Sequence, residues 1–274
     1  MASSRRRTDF LPHLVLVLGV AIFAFPIYFA VIGSTWDAST IGRGQMPLFP
    51  GPLAAENYWT VWSSGEGTRI RSTPVATLMF NSLVMALVIC FGKIAISLLS
   101  AYAVVFFWMI FVTLMLPVEV RIIPTYEVIV NLGMFDSFAG LTVPLIASAT
   151  ATLLFRQFFL TIPDELVEAS KIDGAGPLRF FWDTVLPLSR TNIAALAVIL
   201  FIYGWNQYLW PLLITKSKSM ETIIIGITKM IGTGEVQNDW NLIMATTIFA
   251  MLPPVLVVVF MQRWFVKGLV DTEK

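Results

Sequence analysis

A chain of 274 residues with 57% hydrophobic and only 13% charged side chains is an integral membrane protein, because an ordinary soluble domain carries about 25% charged residues. Its formal net charge of +1 excludes a nucleic-acid surface built on bulk positive charge. A single cysteine, Cys90, and a single histidine, His13, exclude an internal disulfide and leave no His-based metal site or proton relay.

Residues 1–10 are polar, with Arg5, Arg6 and Arg7 in a row. An apolar run from Leu14 to Gly33 follows, long enough to cross a ~30 Å hydrocarbon core. A cleaved signal peptide would have an apolar stretch of only about 7–15 residues and a small-residue cleavage site, and Ser34-Thr35-Trp36-Asp37 offers no such site. The run reads as an uncleaved first span, with the arginines holding the N-terminus in the cytoplasm. Residues 34–75 form an external loop punctuated by Pro47, Pro50, Gly51 and Pro52, with a short helix beginning near Leu53. It is either a passive connector or a docking surface for an external partner.

From Ala76 to Leu116 the chain is almost continuously apolar, interrupted chiefly by Asn81 and Lys93. As one helix this stretch would be about twice as long as the hydrocarbon core is thick, so it must hold two spans. Its middle, AYAVVFFWMIFV, has no Gly, Pro or charge to make the turn. The expectation is a turn near Phe106–Trp108, with a short polar loop missing from the sequence at that place. One long tilted helix would instead leave five spans. Pro117 to Arg121 ends the third span, and Tyr126 to Ser137 reads as a short external segment. A fourth span runs from Leu141 to Leu160, a fifth from Asn192 to Ile214 through GWNQYLWP, and a sixth from Asn241 to Met261. Residues 216–240 are a second external loop, and Arg263 and Lys267 mark a cytosolic tail, 263–274.

The expected architecture is therefore all-α: a polytopic membrane protein of six helices forming one domain over 1–274, with both termini cytoplasmic. Arg156, Lys171, Arg179 and Arg190 then share the inner side, although Lys216, Lys218 and Lys229 fall outside and dilute the charge asymmetry. No internal repeat is visible. No GxxxxGK[ST] phosphate loop occurs, so any ATP that drives this protein must bind another chain.

The stretch that cannot sit in lipid is Thr161 to Leu188, TIPDELVEASKIDGAGPLRFFWDTVLPL. Thr161 is placed to cap a helix that has Pro163, Asp164 and Glu165 in its first turn, near the positive end of the helix dipole. Glu168 and Lys171 are spaced to pair on its surface. Gly174 supplies the break, Gly176-Pro177 restarts a second short helix, and Leu186-Pro187 leads into the fifth span. The bland alternative is an amphipathic connector lying on the membrane face.

These residues resemble the EAA motif of binding-protein-dependent ABC importer permeases, E-A-A-x3-G-x9-I-x-L-P. Glu168, Ala169, Gly174, Leu186 and Pro187 match, Ser170 replaces the second alanine, and Thr184 stands where the pattern has isoleucine. The strings AENYW at 55–59, MLPVEVRIIPTYEVI at 115–129 and GWNQYLWPLLI at 204–214 are similar to the carbohydrate, maltose-permease-like branch of that family. Within that branch the chain most resembles permeases that import sn-glycerol 3-phosphate. The resemblance implies a type I permease fold whose first loop helix, with Glu168, Ala169, Ser170, Asp173, Gly174, Leu186 and Pro187, couples to an ATPase. It also implies a second permease subunit as heterodimer partner, two ABC ATPase subunits that bind ATP and Mg, and an external substrate-binding protein. It implies no cofactor and no catalysis in this chain, a location in the bacterial inner membrane, and alternating access as the mechanism. Family members end in a glycine-rich tail, of which only Gly268 and Leu269 remain here.

Polar residues inside spans are costly in lipid and mark candidate pathways. Lys93 lies mid-span and can attract phosphate, or it can be a structural partner to a backbone carbonyl or to a neighbouring helix. Glu119 and Arg121 lie near the external end of the third span, as a gate or as a plain interfacial pair. Trp205, Asn206, Gln207 and Tyr208 offer hydrogen bonds and aromatic faces to a polyol, or amides that tie helix to helix. In related importers the substrate site can lie mainly on the partner permease. Another sugar or polyol is the alternative cargo. A self-contained channel or secondary transporter would need inverted repeats or paired broken helices, which the sequence does not display.

Overall fold

The computed structural model describes residues 10–65, 73–103, 118–231 and 238–270, with Trp108 and Val112 beside them, and the side chains of all these except Phe10, 118–119 and 263–270. In chain order the helices are α1 (Phe10–Gly33), α2 (Ala38–Gly42), α3 (Ala54–Ser63), α4 (Val75–Tyr102), α5 (Val118–Asn131), α6 (Phe138–Thr142), α7 (Ala149–Phe159), α8 (Asp164–Ile172), α9 (Pro177–Phe180), α10 (Arg190–Trp205), α11 (Leu209–Ile214), α12 (Ile223–Met230) and α13 (Trp240–Val270). No strand occurs among the described residues, as the composition requires of a lipid-embedded chain, where only helices and closed barrels satisfy their backbone.

Three helices are individually long and apolar enough to cross a membrane: Leu11–Gly33, Val75–Tyr102 and Trp240–Gln262. Two further pairs qualify only together, each bent at a break: Phe138–Leu145 with Ala149–Phe159 at 44°, and Pro177–Leu188 with Arg190–Trp205 at 70°. Up to five spans therefore lie among the described residues. The expected third span, and the turn near Phe106–Trp108, fall largely on residues outside the description.

The fourth span is broken rather than continuous. Ser148 takes an extended conformation and its hydroxyl accepts from the Ala151 amide, which starts α7 afresh. The fifth also differs from expectation, since α10 ends at Trp205 and a new helix begins at Leu209. Pro211 explains the break: its ring would clash with the Gln207 carbonyl in a continuous helix, but is tolerated in a first turn. The segment expected to be a short external stretch from Tyr126 is helical to Asn131 instead, because α5 carries its apolar residues on through Val128 and Ile129. Ile129 is buried.

The chain divides into two compact units, Met1–Ala76 with Gly226–Met251, and Thr77–Ile225 with Leu252–Lys274. In the first, the loop that follows α1 is held by buried Asn57. Its side-chain amide donates to the carbonyls of Ser34 and Trp36, each at 2.8 Å, and its carbonyl oxygen accepts from Asn241 at 3.2 Å. Tyr58 and Trp62 stack their rings near Phe249, with centroids 5.4 and 5.3 Å away. Gly51 is required there, because a Cβ would stand 2.6 Å from the Thr35 carbonyl oxygen and 2.7 Å from the Trp36 ring.

In the second unit, Met85, Ile89, Ile129, Leu141, Trp210 and Ile214 form the buried apolar cluster. Trp210 donates its indole N–H to the Gly140 carbonyl at 2.9 Å. Asn81, which interrupts the apolar run of α4, is a helix-to-loop tie: its amide donates to the carbonyls of Ser219 and Glu221, each at 2.8 Å. Ser82 accepts from the Ile223 amide at 2.8 Å.

Candidate functional site

Two places in the second unit stand out, a polar cavity and the exposed segment 161–188. The cavity, about 410 Å³, is bounded by α4, α5, α10, the break before α7 and the break before α11. Lys93 reaches it from α4 although only 6% of the residue is exposed. Its ammonium lies 3.6 Å from the centroid of the Tyr203 ring, a favourable cation–π placement. Among the described residues it makes no ion pair with a carboxylate and no hydrogen bond; of the expected alternative, a structural tie to a backbone carbonyl or to a neighbouring helix, the structure shows the second form, through the Tyr203 ring of α10. Arg121 lines the same cavity from α5, and no Asp or Glu lines it among the described residues.

Helix geometry adds a third positive contribution. Ser148, Ala149 and Thr150 at the start of α7 line the cavity. The Ser148 hydroxyl occupies the Ala151 amide at 3.2 Å, while the first amides of any helix lack intrahelical acceptors and carry the positive end of its dipole. Gly92, next to Lys93, lets this break pack against α4, since a Cβ there would stand 2.7 Å from the Ile146 side chain. Gln207 and Tyr203 supply an amide and a phenol, and the Gln207 amide donates to the Tyr203 carbonyl at 3.1 Å.

Of the pathway residues read from the sequence, the structure brings Lys93, Arg121 and Gln207 together. Trp205 is buried at 2% exposure, stacked on Phe201 at 5.9 Å, and does not line the cavity. Asn206 ends α10, and neither it nor Tyr208 is among the lining residues. The Glu119 side chain is outside the description. Tyr203, Ser148 and Thr150 were missed. Tyr203 sits four residues before Gln207, hence on the same face of a helix, and the polar run Ser148-Ala149-Thr150 inside an apolar span carries a helix-start signal; both were legible.

The segment 161–188 is built as two short helices around Gly174, as its spacing predicts. Gly174 has φ +72°. The Asp173 and Gly174 amides donate back to the Ala169 and Lys171 carbonyls, each at 3.0 Å. Pro163, and not Thr161, stands at the start of α8; the Thr161 hydroxyl turns back to the Phe158 carbonyl at 2.7 Å. Asp164 and Glu165 occupy the first turn and Lys171 the last, which suits the dipole. Glu168 and Lys171 form no ion pair; the pair observed is Arg179 with Asp183 at 3.2 Å, four residues apart.

No residue of α8 is buried. Glu168, Ala169, Asp173 and Gly174 are exposed, whereas Ser170, Leu186 and Pro187 are half-buried. Ile172 is 86% exposed and Leu178 72%. Phe181 and Val185 anchor the far side, in a π-helical turn over Phe181–Val185. Tyr102, at the end of α4, donates to the Pro177 carbonyl at 2.7 Å and packs on Phe181 with ring centroids 5.1 Å apart.

Comparison with known proteins agrees with this geometry. The family described as binding-protein-dependent transport system inner membrane component matches residues 1–271. The chain is 58% identical to the sn-glycerol-3-phosphate transport system permease protein UgpE of Agrobacterium fabrum, 57% to that of Rhizobium meliloti and 55% to that of Yersinia pestis. Each comparison covers 100% of both chains, over 283 aligned positions, nine more than the 274 residues present here. Among solved structures, a bacterial ABC transporter involved in the import of the acidic polysaccharide alginate matches with a TM-score of 0.79. It covers 97% of this chain and 99% of that one at 19% identity, a likeness of fold. The chain belongs to the binding-protein-dependent transport system inner membrane components, as a membrane permease subunit of an ABC importer and not an enzyme.

Proposed function

We propose that this permease subunit imports sn-glycerol 3-phosphate and glycerophosphodiesters. The observation that carries the cargo assignment is full-length identity of 55–58% to permeases named for sn-glycerol 3-phosphate. The cationic cavity, lined by no carboxylate among the described residues, suits an anionic polyol. In this reading the chain pairs with a second permease and two ABC ATPase subunits, which bind ATP and Mg, and receives cargo from an external substrate-binding protein. Both termini are cytoplasmic.

The coupling role rests on residues 161–188. Ile172 and Leu178 are left uncovered by the rest of the chain on two short helices of a segment too polar to sit in lipid, and this supports a partner surface. Closure of the ATPase pair on ATP would move α8. Tyr102 and Phe181 would pass that motion to α4, whose Lys93 lines the cavity.

The test is reconstitution of the chain with its partner subunits in liposomes, with labelled sn-glycerol 3-phosphate as cargo. Uptake should require ATP, the second permease and the binding protein together. Uptake by this chain alone, or preference for a neutral sugar over the phosphate ester, would overturn the reading.

A further inference from the structure

We propose that the cavity around Lys93 is a phosphate-monoester site carried by this subunit itself, so that the cargo is gripped by its charge inside this chain as well as by the external binding protein. The proposal rests on the reading that the cargo is a phosphate ester, and it assigns the head group to Lys93, Arg121 and the amino end of α7.

Burial is the first argument. A lysine inside an apolar helix is strongly disfavoured in lipid and needs a partner, yet Lys93 is 94% buried, taken from its 6% exposure, without a carboxylate or a hydrogen-bond acceptor among the described residues. The Tyr203 ring at 3.6 Å offsets part of that penalty but carries no negative charge to neutralise the ammonium. The second argument is convergence. Arg121 and the start of α7 face the same cavity, so an empty site holds two like charges and a positive helix end together, with no counter-charge lining it among the described residues. A phosphate relieves all three at once, and amides at a helix start are suited to its oxygens.

The third argument is the shape of the polar lining. Hydrogen-bonding groups that do not carry charge, Thr125, Tyr203 and Gln207, lie beside the cations and can meet the hydroxyls of a glycerol moiety. Broken helices whose amino ends face the cargo, at a site between spans, are also the usual construction of anion sites in transporters. The break at Ser148 gives the Ser148–Thr150 turn that position, which a continuous fourth span would have denied it.

The experiment uses the complete transporter in liposomes, with Lys93→Met, Lys93→Arg and Arg121→Gln compared with the unsubstituted complex. Lys93→Met removes the charge from an apolar setting and keeps the length, so assembly is preserved. Uptake of sn-glycerol 3-phosphate at subsaturating concentration should fall roughly tenfold or more in Lys93→Met and in Arg121→Gln, the scale of a lost charge-assisted hydrogen bond. Lys93→Arg should recover most of it, and Ile22→Ala, exposed on α1 and outside the lining, should match the unsubstituted complex. Uptake by Lys93→Met at the unsubstituted rate would overturn the site while leaving the cargo assignment standing.

A second readout separates the two ideas. Inorganic phosphate should raise the melting temperature of the unsubstituted complex, and Lys93→Met should abolish that rise. If the complex instead carries a different cargo, the cargo assignment fails, and the phosphate shift alone then decides the site: present and Lys93-dependent, it stands; absent, it falls.

Discussion

Gly174 has a left-handed backbone, φ +72°, and nothing within 4 Å of the place where a Cβ would stand. A side chain there meets no clash in the isolated chain and pays only the backbone strain of that region, about 1–2 kcal/mol. Function is a different matter if α8 seats in a partner, because the new side chain would project from the docking face. Gly174→Leu should therefore leave complex assembly nearly intact while substrate-stimulated ATP hydrolysis and uptake collapse; unchanged stimulation would remove the coupling role. Asp136 is the counterpart on the other loops. It too is left-handed, at φ +57°, and its carboxylate accepts from the Lys216 and Ser217 amides at 2.8 and 3.1 Å. The Lys216 amide foremost, with that of Ser217, holds the carboxyl below its usual range. A depressed folded value means that its stabilisation is complete above the unfolded pKa, about 3.9, and is lost as pH falls through the folded value. Asp136→Ala loses both the acceptor and the tolerance for positive φ, and should lower stability by about 1–2 kcal/mol at neutral pH. Asp136→Asn should keep most of it and flatten the acid limb of a melting-temperature profile.

At the scale of elements, α4 is the member that touches both candidate places, with Tyr102 against the coupling segment and Lys93 in the cavity. It packs on α10 through small residues, as helices in lipid do when side-chain volume would hold them apart. A Cβ at Gly204 would stand 2.9 Å from the Ala86 Cα, and Cys90 donates to the Ala197 carbonyl at 3.4 Å along the same seam. Gly204→Val should force the pair apart at about 1–3 kcal/mol, read as a lower melting temperature and reduced uptake. Tyr102→Phe removes one hydrogen bond and keeps the ring on Phe181. It should raise the ATP hydrolysed per cargo molecule several-fold without a comparable loss of melting temperature, whereas an unchanged ratio would show that α4 does not receive the motion. The coupling segment was legible in the sequence because its signals are local: a glycine at the break, a proline at each restart and fixed spacing between them. The breaks in the fourth and fifth spans were not read, since apolar periodicity is the same on either side of a kink. Their causes, Ser148 and Pro211, are single residues inside otherwise uniform runs.

For the molecule as a whole, composition alone established a helical membrane protein, and resemblance along the full chain established its kind. What the sequence could not give is adjacency. Lys93 is conspicuous in any reading as a charge inside a span, but its meeting with Arg121, Tyr203 and the start of α7 is tertiary and joins residues from four separate helices. Trp205, Asn206 and Tyr208 were selected by the same criterion, polarity within or beside a span, and polarity does not reveal which way a side chain faces. The orientation of the chain in the membrane is the remaining consequence of scale, because the coupling proposed for residues 161–188 requires them on the ATPase side. With Cys90→Ala removing the only native thiol, one cysteine is placed at Lys171 in α8 and, in a separate variant, one at Lys218 in the loop after α11, both exposed. In intact cells permeable at the outer membrane, a membrane-impermeant maleimide should label Lys218→Cys at once and Lys171→Cys only after the inner membrane is opened. The reverse pattern would place residues 161–188 on the binding-protein side, and no ATPase could then reach Gly174.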